Sequence, residues 1–185
     1  MANICTTQVD FYAAPNAIEW LSNEIETVRK AENVTDAFAQ AFRTESDLQP
    51  DGTITNIIDT IGAKWITISD WGGSDDNNYY LNLETAWHYP KDLIERIVSK
   101  LQKMTEESGE EFTNPNDDTY AMAKGRYWDE TYDPIGVFVS YEIGNTDEAE
   151  SSISEDQWEW EEENPDGYFW DEVVEPEFES LEEEI

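Results

Sequence analysis

The chain has 185 residues, with 44 Asp and Glu against 10 Lys and Arg, for a formal net charge of −34 at pH 7. That length supports one ordinary domain with an appendage rather than two full cores. The charge opposes approach to phosphate backbones and anionic lipid, because no basic stripe is present to release counterions, and a single cysteine, Cys5, excludes an intramolecular disulfide or a thiolate-rich zinc site built from this chain alone.

The chain opens Met-Ala-Asn-Ile-Cys-Thr-Thr, without the basic segment and apolar run of a signal peptide, and it contains no 18-residue apolar stretch. A soluble, cytoplasmic protein is expected, with no membrane partner. Cys5, Thr7, Val9, Phe11 and Ala13 then alternate with mostly polar neighbours, which is the period of a half-buried strand. Pro15 opens a helix in which Ile18, Leu21, Ile25 and Val28 share a face. Asn33 can cap a second helix carrying Val34, Phe38 and Phe42, broken at Gln49-Pro50-Asp51-Gly52.

Residues 64–71 are rich in β-branched and aromatic side chains, residues 72–78 read as a turn, and Tyr79, Leu81, Leu83, Thr85 and Trp87 alternate again, so a hairpin is expected. Pro90 begins the strongest helix. Leu93, Ile94, Ile97, Val98, Leu101 and Met104 line its apolar face, Lys91, Glu95, Arg96 and Lys100 its polar face, and it ends near Gly109. Two further strands are expected at about 120–128 and 136–143. The order β-α-α-β-β-α-β-β predicts an α+β fold of the split βαβ, ferredoxin-like kind, an antiparallel sheet with helices on one face.

From about Asn145 the alternation stops, which divides the chain into an expected domain at 1–145 and an acidic, partly helical C-terminal extension at 146–185. The extension holds 18 Asp and Glu and no Lys, Arg or His, and the domain itself still has 26 acids against 10 basic residues. A solvated acidic tail gains little from large apolar groups. This one nevertheless carries Trp158, Trp160, Tyr168, Phe169, Trp170, Phe178, Leu181 and Ile185. Helices are expected near 154–163 and 176–185, joined by a turn at Asn164-Pro165-Asp166-Gly167.

Several stretches resemble one family. Met-Ala-Asn-Ile-Cys before a strand, Gly62-Ala63-Lys64-Trp65, Leu83-Glu84-Thr85-Ala86-Trp87 followed by Pro90, and Tyr127-Trp128-Asp129-Glu130 are similar to phage and plasmid proteins with the Api92-like, or YubB-like, ferredoxin-like domain. The resemblance covers roughly residues 1–143. It implies the same fold and an accessory product of a mobile element, and brings no catalytic residues. The acidic tail lies outside the family pattern.

His88, the only histidine, is read as a surface or helix-entry residue rather than part of a catalytic triad, and Cys5 as a small core residue. Asp75-Asp76-Asn77-Asn78 and Asn114-Pro115-Asn116-Asp117-Asp118 lack the spacing of a calcium loop and are read as turns. With 44 carboxylates present, a close pair such as Glu110-Glu111 carries little catalytic information. Trp65, Trp87 and Trp128 are expected to pack in the core. No cofactor, metal site or enzymatic activity is expected.

The partner-binding residues expected from the tail are Trp158, Trp160 and Trp170 with Asp156, Glu159, Glu161, Glu162, Glu163, Asp171 and Glu172. If wholly helical, the tail would carry one charge per roughly 3.3 Å, against about 3.4 Å per phosphate along one DNA strand. The leading reading is a non-enzymatic phage or mobile-element protein acting in the host cytoplasm. It presents a DNA-like carboxylate array to a host defence or nucleic-acid-binding protein with a basic surface, and does not itself bind nucleic acid. The alternative is an acidic adaptor or inhibitor of a host protease, polymerase or chaperone, without DNA mimicry.

Overall fold

A computed structural model of the chain describes residues 3–116, 118–142, 144–154, 156–159, 164 and 168–185. The alternating start becomes strand β1 (Ile4–Tyr12), whose Cys5, Thr7, Val9 and Phe11 point inward. Helix α1 (Pro15–Val28) follows, with Ile18, Leu21, Ile25 and Val28 buried. Helix α2 (Val34–Phe42) is capped by Asn33, whose side chain accepts the Asp36 N–H at 3.1 Å.

A 3₁₀ turn at Glu45–Asp47 and a short helix α3 (Ile57–Ile61) fill the connection to strand β2; neither shows a helical period in the sequence because each is too short to repeat one. Helix α3 ends on Gly62 at φ 73, in the left-handed region. A Cβ here would also crowd the backbone N of Asp92 at 3.2 Å. Strands β2 (Ile66–Asp75) and β3 (Asn78–Ala86) form the expected hairpin. Its turn is tighter than the expected 72–78, since the ladder continues through Gly72 and Gly73 with register shifts on either side.

Helix α4 (Lys91–Ser108) buries Leu93, Ile94, Ile97, Val98 and Leu101 and stops at Gly109, φ 65. Strands β4 (Met122–Asp129), β5 (Ile135–Glu142) and β6 (Asn145–Ser151) complete one six-stranded sheet in the order β2-β3-β1-β4-β5-β6, antiparallel throughout. Residues 156–159 are helical, and a π-helical turn (Trp170–Val174) runs into helix α5 (Glu175–Glu182).

Strand alternation assigns the two faces. On one face Cys5, Val9, Phe11, Leu81, Leu83, Tyr127 and Phe138 meet α1, α2 and α4 in the main core. On the other, Ile135 and Val137 of β5 meet Ile153, Val173, Val174, Phe178 and Leu181 in a second core. The chain is therefore mixed α and β with an antiparallel sheet; α1, α2 and α4 share one face, and the opposite face is covered by the C-terminal extension, whose packing the sequence left open. That cover comes from the tail's Val174, Phe178 and Leu181, which follow 4-3 spacing and give α5 an apolar stripe.

Three further expectations change. Residues 145–151, where the alternation stops, nevertheless pair with β5 as the edge strand. Strand pairing needs only backbone groups, so a polar stretch can supply it. Glu95, expected on the polar face of α4, is buried because the turn into β6 and β6 itself each bring it a donor: the Gly144 N–H at 2.9 Å and the Thr146 hydroxyl at 2.8 Å. Trp65 and Trp128 are half-buried, whereas Trp87 is exposed, because the chain leaves β3 there at φ 73 and turns the residue off the sheet.

Candidate partner-binding face

The tail is anchored by rings. Trp170 meets Trp128 of β4 edge-on, centroids 5.0 Å apart, and lies 6.0 Å from Phe178. Trp158 stacks on Phe169 at 4.8 Å and 17°, with Tyr132 at 5.7 Å. Tyr132 takes φ 53 in the β4–β5 turn, where Asp129 Oδ1 accepts from the Thr131 and Asp133 N–H groups. Each such aromatic pair adds about 0.5–1.5 kcal/mol to the burial itself.

Charge reinforces the same contact. Arg126, beside Trp128 on the second face of β4, donates Nη1 to Glu175 Oε1 at 2.6 Å and Nε to Glu182 Oε1 at 2.7 Å, while its guanidinium lies over Phe178 at 5.2 Å. Lys124 Nζ stands 3.6 Å from Glu182. Burial pushes the Glu182 carboxyl up, but hydrogen bonds from Arg126 and the charges of Arg126 and Lys124 outweigh it and hold the group below the usual glutamate range. Ser151 of β6 donates to Glu177 at 2.7 Å.

This geometry places the expected binding residues. Asp156, Glu159, Asp171 and Glu172 are exposed. Trp158 and Trp170 are half-buried and turned onto the protein's own rings. Trp160, Glu161, Glu162 and Glu163 lie outside the described residues. The residues that hold the tail, Lys124, Arg126, Trp128 and Tyr132, are absent from the sequence-based site. A signal for them exists: Lys124, Arg126 and Trp128 alternate on one strand face, which sets two cations beside an indole on a single surface of β4.

All ten basic side chains have intramolecular partners. Arg29 and Lys30 pair with Glu26, Arg96 with Asp47, Lys91 with Glu148, Lys103 with Glu107, and Lys124 and Arg126 with α5. Lys64 and Lys100 lie over the Trp87 and Trp20 rings, and Arg43 donates to the Gln40 carbonyl. Acidic hollows extend the negative surface onto the rest of the fold. A groove of about 800 Å³ is lined by Glu106, Glu110 and Glu111 with Phe112 and Tyr120, and one of about 470 Å³ by Glu19, Asp75, Asp76 and Glu110. Among the described residues no group of three or more His, Cys, Asp and Glu is placed to hold a metal ion, and no helix is long and apolar enough to cross a membrane.

No family model, curated protein or solved structure matches the chain.

Proposed function

We propose that this protein is a non-enzymatic interaction protein that presents a fixed carboxylate surface to a basic, nucleic-acid-binding surface of a host protein and blocks it as a DNA mimic. The observation that carries this reading is the inward turn of the tail's aromatic residues. With Trp170 on Trp128 and Trp158 on Phe169, Asp171, Glu172, Glu179, Glu183 and Glu184 project to solvent from an anchored segment. Fixed carboxylates resemble phosphates in a way a floppy tail does not, because the ordering entropy is spent on folding rather than on binding. With 10 basic side chains against 44 carboxylates, few cations offset the surface field.

The ferredoxin-like plan belongs to the same proposal. The strand order β2-β3-β1-β4 with α1 and α4 on one face supports it, as does the resemblance to mobile-element proteins, and β5, β6 and α5 would be additions to it. In the alternative of an aromatic docking motif, Trp158 and Trp170 would have to leave their ring contacts to reach a partner.

Competition tests the reading. Host lysate is passed over the immobilised full chain, and duplex DNA is added to the bound fraction. The expected result is a nucleic-acid-binding protein released by DNA and by raising salt from about 50 to about 500 mM, where exposed charge pairs are screened together. Retention of the target in both conditions would sink the mimicry.

A further inference from the structure

Trp87 is 59% exposed and stands at φ 73, a backbone region that a bulky side chain enters only under strain. The conformation is held by the Trp87 N–H, which donates to Asn3 O at 2.9 Å. An indole carried in water on a strained backbone adds little to the fold. Strain of this kind concentrates at binding sites, and tryptophan is enriched among the residues that dominate interfaces.

The next residues build a site around it. His88 is exposed, with its ring 4.9 Å from Tyr89 and 5.4 Å from Tyr127, and its Nε2 3.9 Å from Glu150. Tyr89 and Tyr127 are buried to 1% exposure, yet their hydroxyls reach outward: Tyr89 donates to Glu148 at 2.5 Å and Tyr127 to Glu150 at 2.7 Å. Gly136 permits this, since a Cβ there would fall on the Tyr127 ring. Two carboxylates that are 42% and 49% exposed are thus oriented from below by buried phenols. Burial raises the Glu148 carboxyl, but the Tyr89 and Lys91 hydrogen bonds more than reverse this, and it stays anionic at neutral pH. Trp87 and Glu150 lie toward the same end of the sheet, as Ala86 pairs with Ile4, Cys5 with Asp129 and Ile135 with Ser151, with β1, β4 and β5 between β3 and β6 and the His88 ring reaching from the Trp87 side to Glu150.

The protein's own cations mark what these groups accept. Lys64 Nζ lies 5.5 Å from the Trp87 ring centroid, and Lys91 Nζ 3.2 Å from Glu148. We propose that Trp87, Glu148 and Glu150 form a recognition surface for an arginine-rich segment of a protein partner, one guanidinium stacking on the indole and others pairing with the carboxylates. Arginine fits better than lysine because its planar fork can do both. A second copy of this chain and a nucleic acid are both disfavoured, since each brings negative charge to a negative surface. The inference shares with the proposed function only the sign of the partner's charge. It places the aromatic anchor away from the tail's tryptophans.

The test titrates fluorescently labelled nona-arginine and nona-lysine peptides into the full chain and its variants, with the indole N–H resonance of Trp87 followed in parallel. Nona-arginine is expected to bind at least threefold more tightly than nona-lysine and to shift that resonance. Trp87→Ala, Glu148→Gln and Glu150→Gln should each weaken it at least fivefold, and the remote exposed change Glu183→Gln less than twofold. Equal losses at all four positions, or an unmoved Trp87 resonance in the unmodified protein, would overturn the proposal by showing charge alone at work. DNA failing to displace the host target would sink mimicry and leave this surface standing; loss of Trp87 dependence with DNA competition intact would do the reverse.

Discussion

Trp170 meets Trp128 edge-on with ring centroids 5.0 Å apart, and through that contact the most acidic segment of the chain is joined to the middle of its sheet. Trp170→Ala and Trp128→Ala should each lower unfolding stability by about 2–4 kcal/mol, below the range for a fully buried Trp because both are half-buried. In urea denaturation the double variant should lose about 1 kcal/mol less than the sum of the two. Strict additivity would mean the rings do not interact.

Removing residues 146–185 takes away β6 and uncovers Ile135 and Val137. It also leaves Glu95 buried without its Thr146 partner, a loss worth about 1–3 kcal/mol. The 1–145 fragment should therefore bind an apolar dye and lose near-ultraviolet dichroism while keeping most of its secondary structure. A cooperatively melting, dye-silent fragment would show that the second core is dispensable.

Acid should loosen the same contact. Glu182 is held below the ordinary glutamate value of 4.5 in the folded chain, so its stabilising contribution is complete above that value and is lost as pH falls through the depressed folded one. Glu182→Gln should therefore be less stable than the natural chain at pH 7, with the gap narrower at an acid pH below the ordinary glutamate value. Denaturant midpoints at both pH values measure this, and a gap that stays constant would remove the Arg126 pair as its cause.

Trp87 behaves oppositely to a core tryptophan. Trp87→Gly relieves a left-handed backbone worth about 1–3 kcal/mol of strain and forfeits only about 0.5–1 kcal/mol of cation–π contact with Lys64, beside modest burial. Its melting temperature should match or exceed that of the natural chain, where a core Trp change costs about 3–5 kcal/mol. A drop of more than about 10 °C in calorimetry would place the ring in the core after all.

Local pattern carries much of this architecture. The period-two runs of β1 and β3, the 3-4-3 spacing of α1, the Asn33 cap and the apolar face of α4 rest on contacts within a few residues, so they can be read in the sequence and reappear in the fold. The same is true of Cys5, a small apolar residue on an inward-facing strand position, where burial pushes its thiol up to about 12. Net charge is likewise a property of composition alone.

Long-range packing decided the rest. Residues 145–151 have no apolar alternation, and they join the sheet because β5 offers an unpaired backbone edge. Glu95 has a polar-face helical position until β6 and the turn before it bring two donors. Trp87 and Trp170 show the same dependence in opposite directions. The first follows an alternating strand and is turned out by one left-handed residue. The second stands among carboxylates and is drawn in by Trp128, Phe178 and the charge of Arg126. Neighbouring residues fix period and charge, but which ring faces water depends on what the folded chain brings against it.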